Sequence, residues 1–155
     1  MRVLHVISGL DSAGGGTTST ALGFSSAQRA AGLDVSVVSS TTSLAAPAGN
    51  VEWLRQRGVE VELVGPARGP LQQHPGLRTA LLRRLTNADV VHVHALWEDA
   101  QHQAALLCRR MRVPYVWLPQ GMLDPWSLSQ RWLRKRVMLQ WRVRANLDGA
   151  AAMHY

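Results

Sequence analysis

RVLHVISGLDSAGGG, residues 2–16, decides how the rest of this 155-residue chain is read. Val3, Leu4, Val6 and Ile7 form a compact apolar run of strand length, rich in β-branched residues and without charge after Arg2. The run predicts a strand buried on both faces. Gly14, Gly15 and Gly16 come next, and because glycine gives up more backbone entropy on folding than any other residue, three in succession predict a loop. From Thr17 onward, Thr18, Ala21, Leu22, Phe24, Ser25, Ala27 and Gln28 fit one stripe of a helix, and Gly32 stands where a C-cap glycine belongs. Strand, glycine loop and helix in that order bring backbone N–H groups together where an anion can meet them, helped by the partial positive charge of a helix N-terminus.

The alternation continues along the chain. Val35, Val37 and Val38 predict a second strand, Val51 to Arg57 a short helix, and Val59 to Val64 a third strand whose Glu60 and Glu62 place it near a sheet edge. Pro66, Gly69, Pro70, Pro75 and Gly76 make a long irregular stretch, and Leu77, Leu81, Leu82 and Leu85 an amphipathic helix. Asp89 to His94 reads as a fourth strand, Ala100 to Arg112 as a helix, and Val113 to Leu118 as a fifth strand. Pro125 to Asn146 reads as helical, and Ala150 to Tyr155 begins a sixth strand. The expected fold is α/β: a Rossmann-like parallel sheet of about six strands, helices on both faces, joined by right-handed crossovers.

Apolar residues make up 46% of the chain and charged residues 17%, a balance that excludes disorder and favours strands buried on both faces. No apolar run reaches about 18 residues, and the first strand follows Met1-Arg2 directly. With a single cysteine, Cys108, an internal disulfide is excluded. These features together predict a cytoplasmic protein. The formal charge of +7 rests on seventeen basic residues, of which only Lys135 is lysine, and points to phosphate-bearing partners.

Three constellations carry candidate chemistry. Gly9 and Gly14 have the spacing of a P-loop, but Gly15 stands where its lysine belongs. Gly14 and Gly16 begin a dinucleotide fingerprint that Ser19 fails to complete, and the second strand ends without the acidic residue for a ribose hydroxyl. What remains is a loop without side chains that lets a polar or phosphorylated ligand reach backbone amides, or a merely permissive turn. In His92-Val-His-Ala-Leu-Trp97-Glu-Asp99 the two histidines share a strand face. No cysteine or third histidine accompanies them, so no metal is expected. His92 reads as a satisfied core histidine, and His94, nearer the strand tip, as a hydroxyl-binding or proton-handling group. In Pro119-Gln120-Gly121-Met-Leu-Asp124-Pro125-Trp126, Gly121 makes room for a turn, Asp124 caps the next helix and Pro125 takes its first position. Gln120 therefore belongs at the same sheet edge as His94 and the glycine loop.

A wheel drawn over Leu128 to Leu147 places Arg131, Arg134, Lys135 and Arg142 in one arc, with Leu128, Trp132, Leu139, Val143 and Leu147 opposite. That basic face suits a solvated surface, an anionic membrane surface, or nucleic acid, although no nucleic-acid module accompanies it.

At Asp89-Val-Val-His-Val-His94-Ala-Leu-Trp97, at Pro119-Gln-Gly-Met-Leu-Asp-Pro-Trp126, and in the glycine loop with its helix and following strand, the sequence resembles the amino-terminal domain of GT-B glycosyltransferases of the family 4 type. The resemblance spans residues 1–155 and implies one half of a GT-B fold: an acceptor-binding domain, without the carboxy-terminal donor-binding domain. It implies retaining transfer of a hexose from a nucleotide-diphosphate sugar to a sugar, lipid-linked or natural-product hydroxyl, with the nucleotide sugar a co-substrate and no resident cofactor or metal. By position, Gly14, Gly15 and Gly16 would line the interdomain cleft and His94 would face the acceptor, with Trp97, Gln120 and Gly121 beside it. Gln120 stands where many members have histidine and cannot exchange a proton near neutral pH. The implied partners are an acceptor, an anionic membrane surface reached through Arg131, Arg134, Lys135 and Arg142, and a separate chain carrying the donor domain, with no nucleic acid. The same features suit a non-catalytic truncated paralogue or split subunit.

Overall fold

The computed structural model describes residues 1–11 and 15–154. Six strands, β1 (Arg2–Ser8), β2 (Asp34–Ser40), β3 (Glu60–Val64), β4 (Val90–His94), β5 (Tyr115–Leu118) and β6 (Ala152–Met153), form one sheet in the order β3-β2-β1-β4-β5-β6. Every neighbouring pair is parallel. The fold is the Rossmann-like α/β layer expected from the sequence. β1 sits centrally between β2 and β4, so its apolar run is sealed from both sides.

Side-chain alternation along β1 divides the core. Leu4 and Val6 join Val38, Val91 and Val93 under α3 (Leu77–Leu85) and α4 (Asp99–Met111). Val3 and Ile7 join Val35 and Val37 under α1 (Gly15–Ala30) and α2 (Ala48–Arg55). Helices therefore cover both faces, and strand tips at the C-terminal edge are left to build a site. β3 is an edge strand, and its outward carboxylates pair with α3: Glu62 with Arg83 and Arg84, Glu60 with Arg84.

Local differences from the sequence reading have physical causes. α1 starts at Gly15, two residues before Thr17, and Gly15 itself is at φ +57°, a left-handed conformation that glycine adopts without a steric penalty. The predicted helix over 125–146 is broken into α5 (Pro125–Ser129), α6 (Trp132–Met138), a π-helical turn (Leu139–Val143) and α7 (Arg144–Asp148). Gln130 is extended at ψ 118° and Arg131 is left-handed at φ +53°, so the chain turns sharply between α5 and α6. The wheel that put Arg142 beside Arg131 does not survive these interruptions. Among the described residues no helix is long and apolar enough to cross a membrane.

Candidate functional site

At the C-terminal edge, β1 ends in Ser8 and Gly9, whose N–H donates to the Ser40 carbonyl at the tip of β2 (2.7 Å). Ser40 Oγ donates to Ser8 Oγ (3.3 Å), which donates to Gln101 Oε1 (3.2 Å), and Gln101 Nε2 donates to the His94 carbonyl (2.7 Å). This chain of bonds ties the tips of β1, β2 and β4 to α4. Beside it lies a depression of about 250 Å³ whose wall includes Asp11, Thr17, Thr18, Thr42, Gln72 and Glu98. Hydroxyls, an amide and two carboxylates make a surface suited to a polyhydroxylated ligand.

Two of these groups are poised rather than spent. Thr18 Oγ1 and Glu98 Oε2 are buried and have no hydrogen-bond partner among the described residues, an arrangement that costs free energy unless a ligand supplies the missing bond. Desolvation raises the Glu98 carboxyl above its ordinary value, opposed by hydrogen bonds from its own and the Trp97 backbone N–H groups. The sequence pattern does not single out Glu98, Asp11, Thr18, Thr42 or Gln72 as site residues. An acidic residue directly after the strand-tip run His94-Ala-Leu-Trp97 was the available signal for Glu98. Gln72 had none, since it arrives in the irregular stretch, pinned where the Asp99 N–H donates to the Leu71 carbonyl (2.8 Å).

His94 lies behind this depression. Its ring is fully buried. His5 Nε2 is 2.9 Å from Gln28 Oε1, His5 Nδ1 is 2.9 Å from His94 Nε2, and His94 Nδ1 is 3.5 Å from Gln120 Nε2. A carbonyl oxygen only accepts, so His5 carries its proton on Nε2 and accepts on Nδ1 from His94 Nε2–H, which leaves the His94 Nδ1 lone pair towards Gln120. Burial lowers the His5 pKa to about 4 against the hydrogen bond its ring donates to Gln28, and burial together with the neighbouring histidines puts His94 well below its ordinary value. Both rings are neutral at neutral pH. His92 differs from the expected satisfied core histidine: it is half-buried against His5, and its Nδ1 has no partner among the described residues.

The other candidates divide. Ala95 at φ +68° and Gln120 at φ +55° turn the chain off β4 and β5, and the Ala95 turn is held by Trp117 Nε1 donating to its carbonyl (2.7 Å). Gln120 Oε1 is buried without a partner among the described residues. Gly121 follows at φ +75°. Gly15 and Gly16 form the first turn of α1 and do not line the depression; Gly14 lies outside the described residues. Trp97 faces a second depression, with Lys135 Nζ 5.5 Å from its ring centroid, and Arg131 and Arg134 line the same hollow. Arg142 is elsewhere, in an ion pair with the nearly buried Asp99. Among the described residues no three histidine, cysteine or acidic side chains gather as metal ligands.

A larger hollow of about 570 Å³ opens at the opposite edge of the sheet around Arg2, Asp34, Glu60, Arg83 and Arg84. Its arginines are already paired with Asp89, Glu60 and Glu62, so it lacks the unspent polar groups of the C-terminal edge.

The profile of the glycosyl transferase 4-like domain matches residues 15–155. The chain belongs to that family. Among solved structures, UDP-GlcNAc 2-epimerase from Neisseria meningitidis bound to UDP-GlcNAc is similar at a TM-score of 0.61 and 14% identity, over 99% of this chain and 39% of that one. The glycosyl transferase 4-like chain thus shares its fold with well under half of that protein. Shikimate 5-dehydrogenase from Mycobacterium fortuitum aligns with 86% of this chain and 41% of its own, at TM-score 0.41 and 18% identity. No curated protein matches the glycosyl transferase 4-like chain in sequence.

Proposed function

We propose that this glycosyl transferase 4-like chain is the acceptor-side half of an enzyme that moves a hexose from a nucleotide-diphosphate sugar to an acceptor hydroxyl. The observation that carries the reading is the hydroxyl- and carboxylate-lined depression at the C-terminal edge, in which Thr18 Oγ1 and Glu98 Oε2 are buried without partners among the described residues. A sugar offers donors and acceptors at a density that answers those groups. Glu98 accepts from an acceptor hydroxyl and orients its oxygen, while Thr18 and Gln72 fix the ring. Gln120 supplies an amide and no titrating proton, so its part is hydrogen bonding. His94, neutral behind it, orients that amide.

Catalysis in this reading is positioning of the acceptor oxygen against a donor held on a second domain. The 155-residue chain alone is therefore expected to transfer weakly or not at all. The test uses the complete two-domain enzyme. Glu98→Gln and Thr18→Val should raise KM for the acceptor while leaving donor KM unchanged. Acceptor kinetics indifferent to both substitutions would remove the depression from the reaction, and robust transfer by the isolated chain would show that this half suffices.

A further inference from the structure

We infer that the second depression at this edge binds the phosphate or diphosphate ester group of the acceptor, an inference that rests on the acceptor-side reading above. The hollow measures about 190 Å³. Arg131, Arg134 and Lys135 stand around a floor of Leu71, Trp97 and Met138, and no carboxylate among the described residues lines it. Residues 125–147 contain six basic side chains and no acidic one. Arg142 is paired with Asp99 and Arg144 with Asp148. Arg131 and Arg134 have no side-chain hydrogen-bond or ion-pair partner among the described residues.

Lys135 is placed differently. Its ammonium is held by the Ser127 carbonyl and hydroxyl and lies over the Trp97 ring, so its position is fixed before any ligand arrives. Two forked guanidinium groups and one fixed ammonium match the oxygens of a phosphate ester. An apolar floor excludes water and strengthens such contacts.

Position links this hollow to the hydroxyl-lined one. Leu71 lines the basic hollow and Gln72 the hydroxyl-lined one; Trp97 and Glu98 divide in the same way. The Asp99–Leu71 backbone bond clamps that shared rim. A phosphorylated sugar spanning it would place its hydroxyls against Glu98 and Thr18 and its phosphate against the arginines. The ester can come from a soluble sugar phosphate or from a lipid headgroup, and exposed Trp132, Leu133 and Val137 on α6 sit beside the basic residues.

Two binding arms separate these sources, each using the 155-residue chain without donor. One titrates inorganic pyrophosphate by calorimetry; the other sediments the chain with vesicles of phosphatidylglycerol in phosphatidylcholine. Arg131→Gln and Arg134→Gln remove exposed side chains that bond nothing among the described residues, so the fold is kept, and circular dichroism verifies it. Arg78→Gln with Arg110→Gln is a charge-matched control at exposed positions outside either depression. The expected result is saturable one-to-one binding of pyrophosphate, about tenfold weaker for each arginine removed from the hollow and unchanged in the control. Retention by vesicles alone, lost in the Arg131/Arg134 double variant, assigns the site to a lipid headgroup. Binding in neither arm overturns the inference, as does equal loss in the control. Loss of phosphate binding with intact acceptor kinetics in the complete enzyme would sink this site and spare the acceptor reading; the reverse pattern would do the opposite.

Discussion

The buried histidine pair makes the domain's stability depend on pH in a calculable way. His5 is fully buried, its ordinary pKa of 6.5 lowered to about 4. The unfolded chain binds a proton near pH 6.5 and the folded one does not until about pH 4, so protonation favours unfolding across that window. The stabilisation is whole above pH 6.5 and is lost as pH falls through 4. At about 1.4 kcal/mol per pKa unit, His5 alone accounts for roughly 3 kcal/mol, of which about 2 kcal/mol disappears between pH 6.5 and 5. His94 and His92 shift in the same direction and add to the loss. The groups facing His5 are His92, His94 and Gln28, and no carboxylate among them can compensate.

For a chain of this size 1 kcal/mol moves Tm by about 2–4 °C, so His5 predicts a fall of roughly 4–8 °C between pH 6.5 and 5. Most carboxylates titrate lower, which isolates the histidines in that window. Scanning calorimetry of the wild type and His5→Asn at pH 7, 6, 5.5 and 5 is the assay. The variant should start less stable, having lost the bonds to Gln28 and His94, but its Tm should fall less steeply. A wild-type Tm flat from pH 7 to 5, or a variant with the parental slope, would refute the argument.

Other substitutions probe separate parts of the fold. Asp99→Asn should cost about 3 kcal/mol by leaving the Arg142 guanidinium largely buried and unpaired, and Asp99→Asn with Arg142→Gln should recover part of it in a thermal double-mutant cycle. Cys108 is buried with its thiol pKa pushed up to about 12; iodoacetamide at pH 8 should leave it unmodified in native protein and alkylate it fully in denaturant, as mass spectrometry will show. Gly65→Ala places a Cβ 2.5 Å from the Thr41 carbonyl oxygen and should destabilise the domain by about 1–3 kcal/mol in urea titration.

How much the sequence reveals depends on whether backbone geometry or side-chain pattern carries the information. β1 is legible because a central parallel strand must be apolar on both sides, and β3 because an edge strand keeps one wet face for Glu60 and Glu62. His94 and Gln120 are legible as strand-tip residues for the same reason: period-two alternation fixes which side chains arrive at an edge. The failures begin where phase is lost. A wheel assumes 3.6 residues per turn throughout, but Gln130 and Arg131 leave the helix and five residues from Leu139 adopt the wider π-turn, so Arg142 rotates away from Arg131 and Arg134 to meet Asp99. Arg131, Arg134 and Lys135 keep their common face, since they lie within or immediately before the single unbroken segment α6. The same loss of periodicity hid Leu71 and Gln72, which reach the site through a loop with no regular pattern. It is that loop which divides the edge into two adjoining hollows, one lined with hydroxyl and carboxylate groups and one basic. Chemistry proposed at this edge therefore depends as much on the Asp99–Leu71 backbone bond as on the glycine-rich segment after β1. Gly15 and Gly16 release the chain into α1 and let Thr17 and Thr18 present their side chains. Thr18 Oγ1 and Glu98 Oε2, buried and without partners among the described residues, are the groups on which the proposed acceptor binding rests.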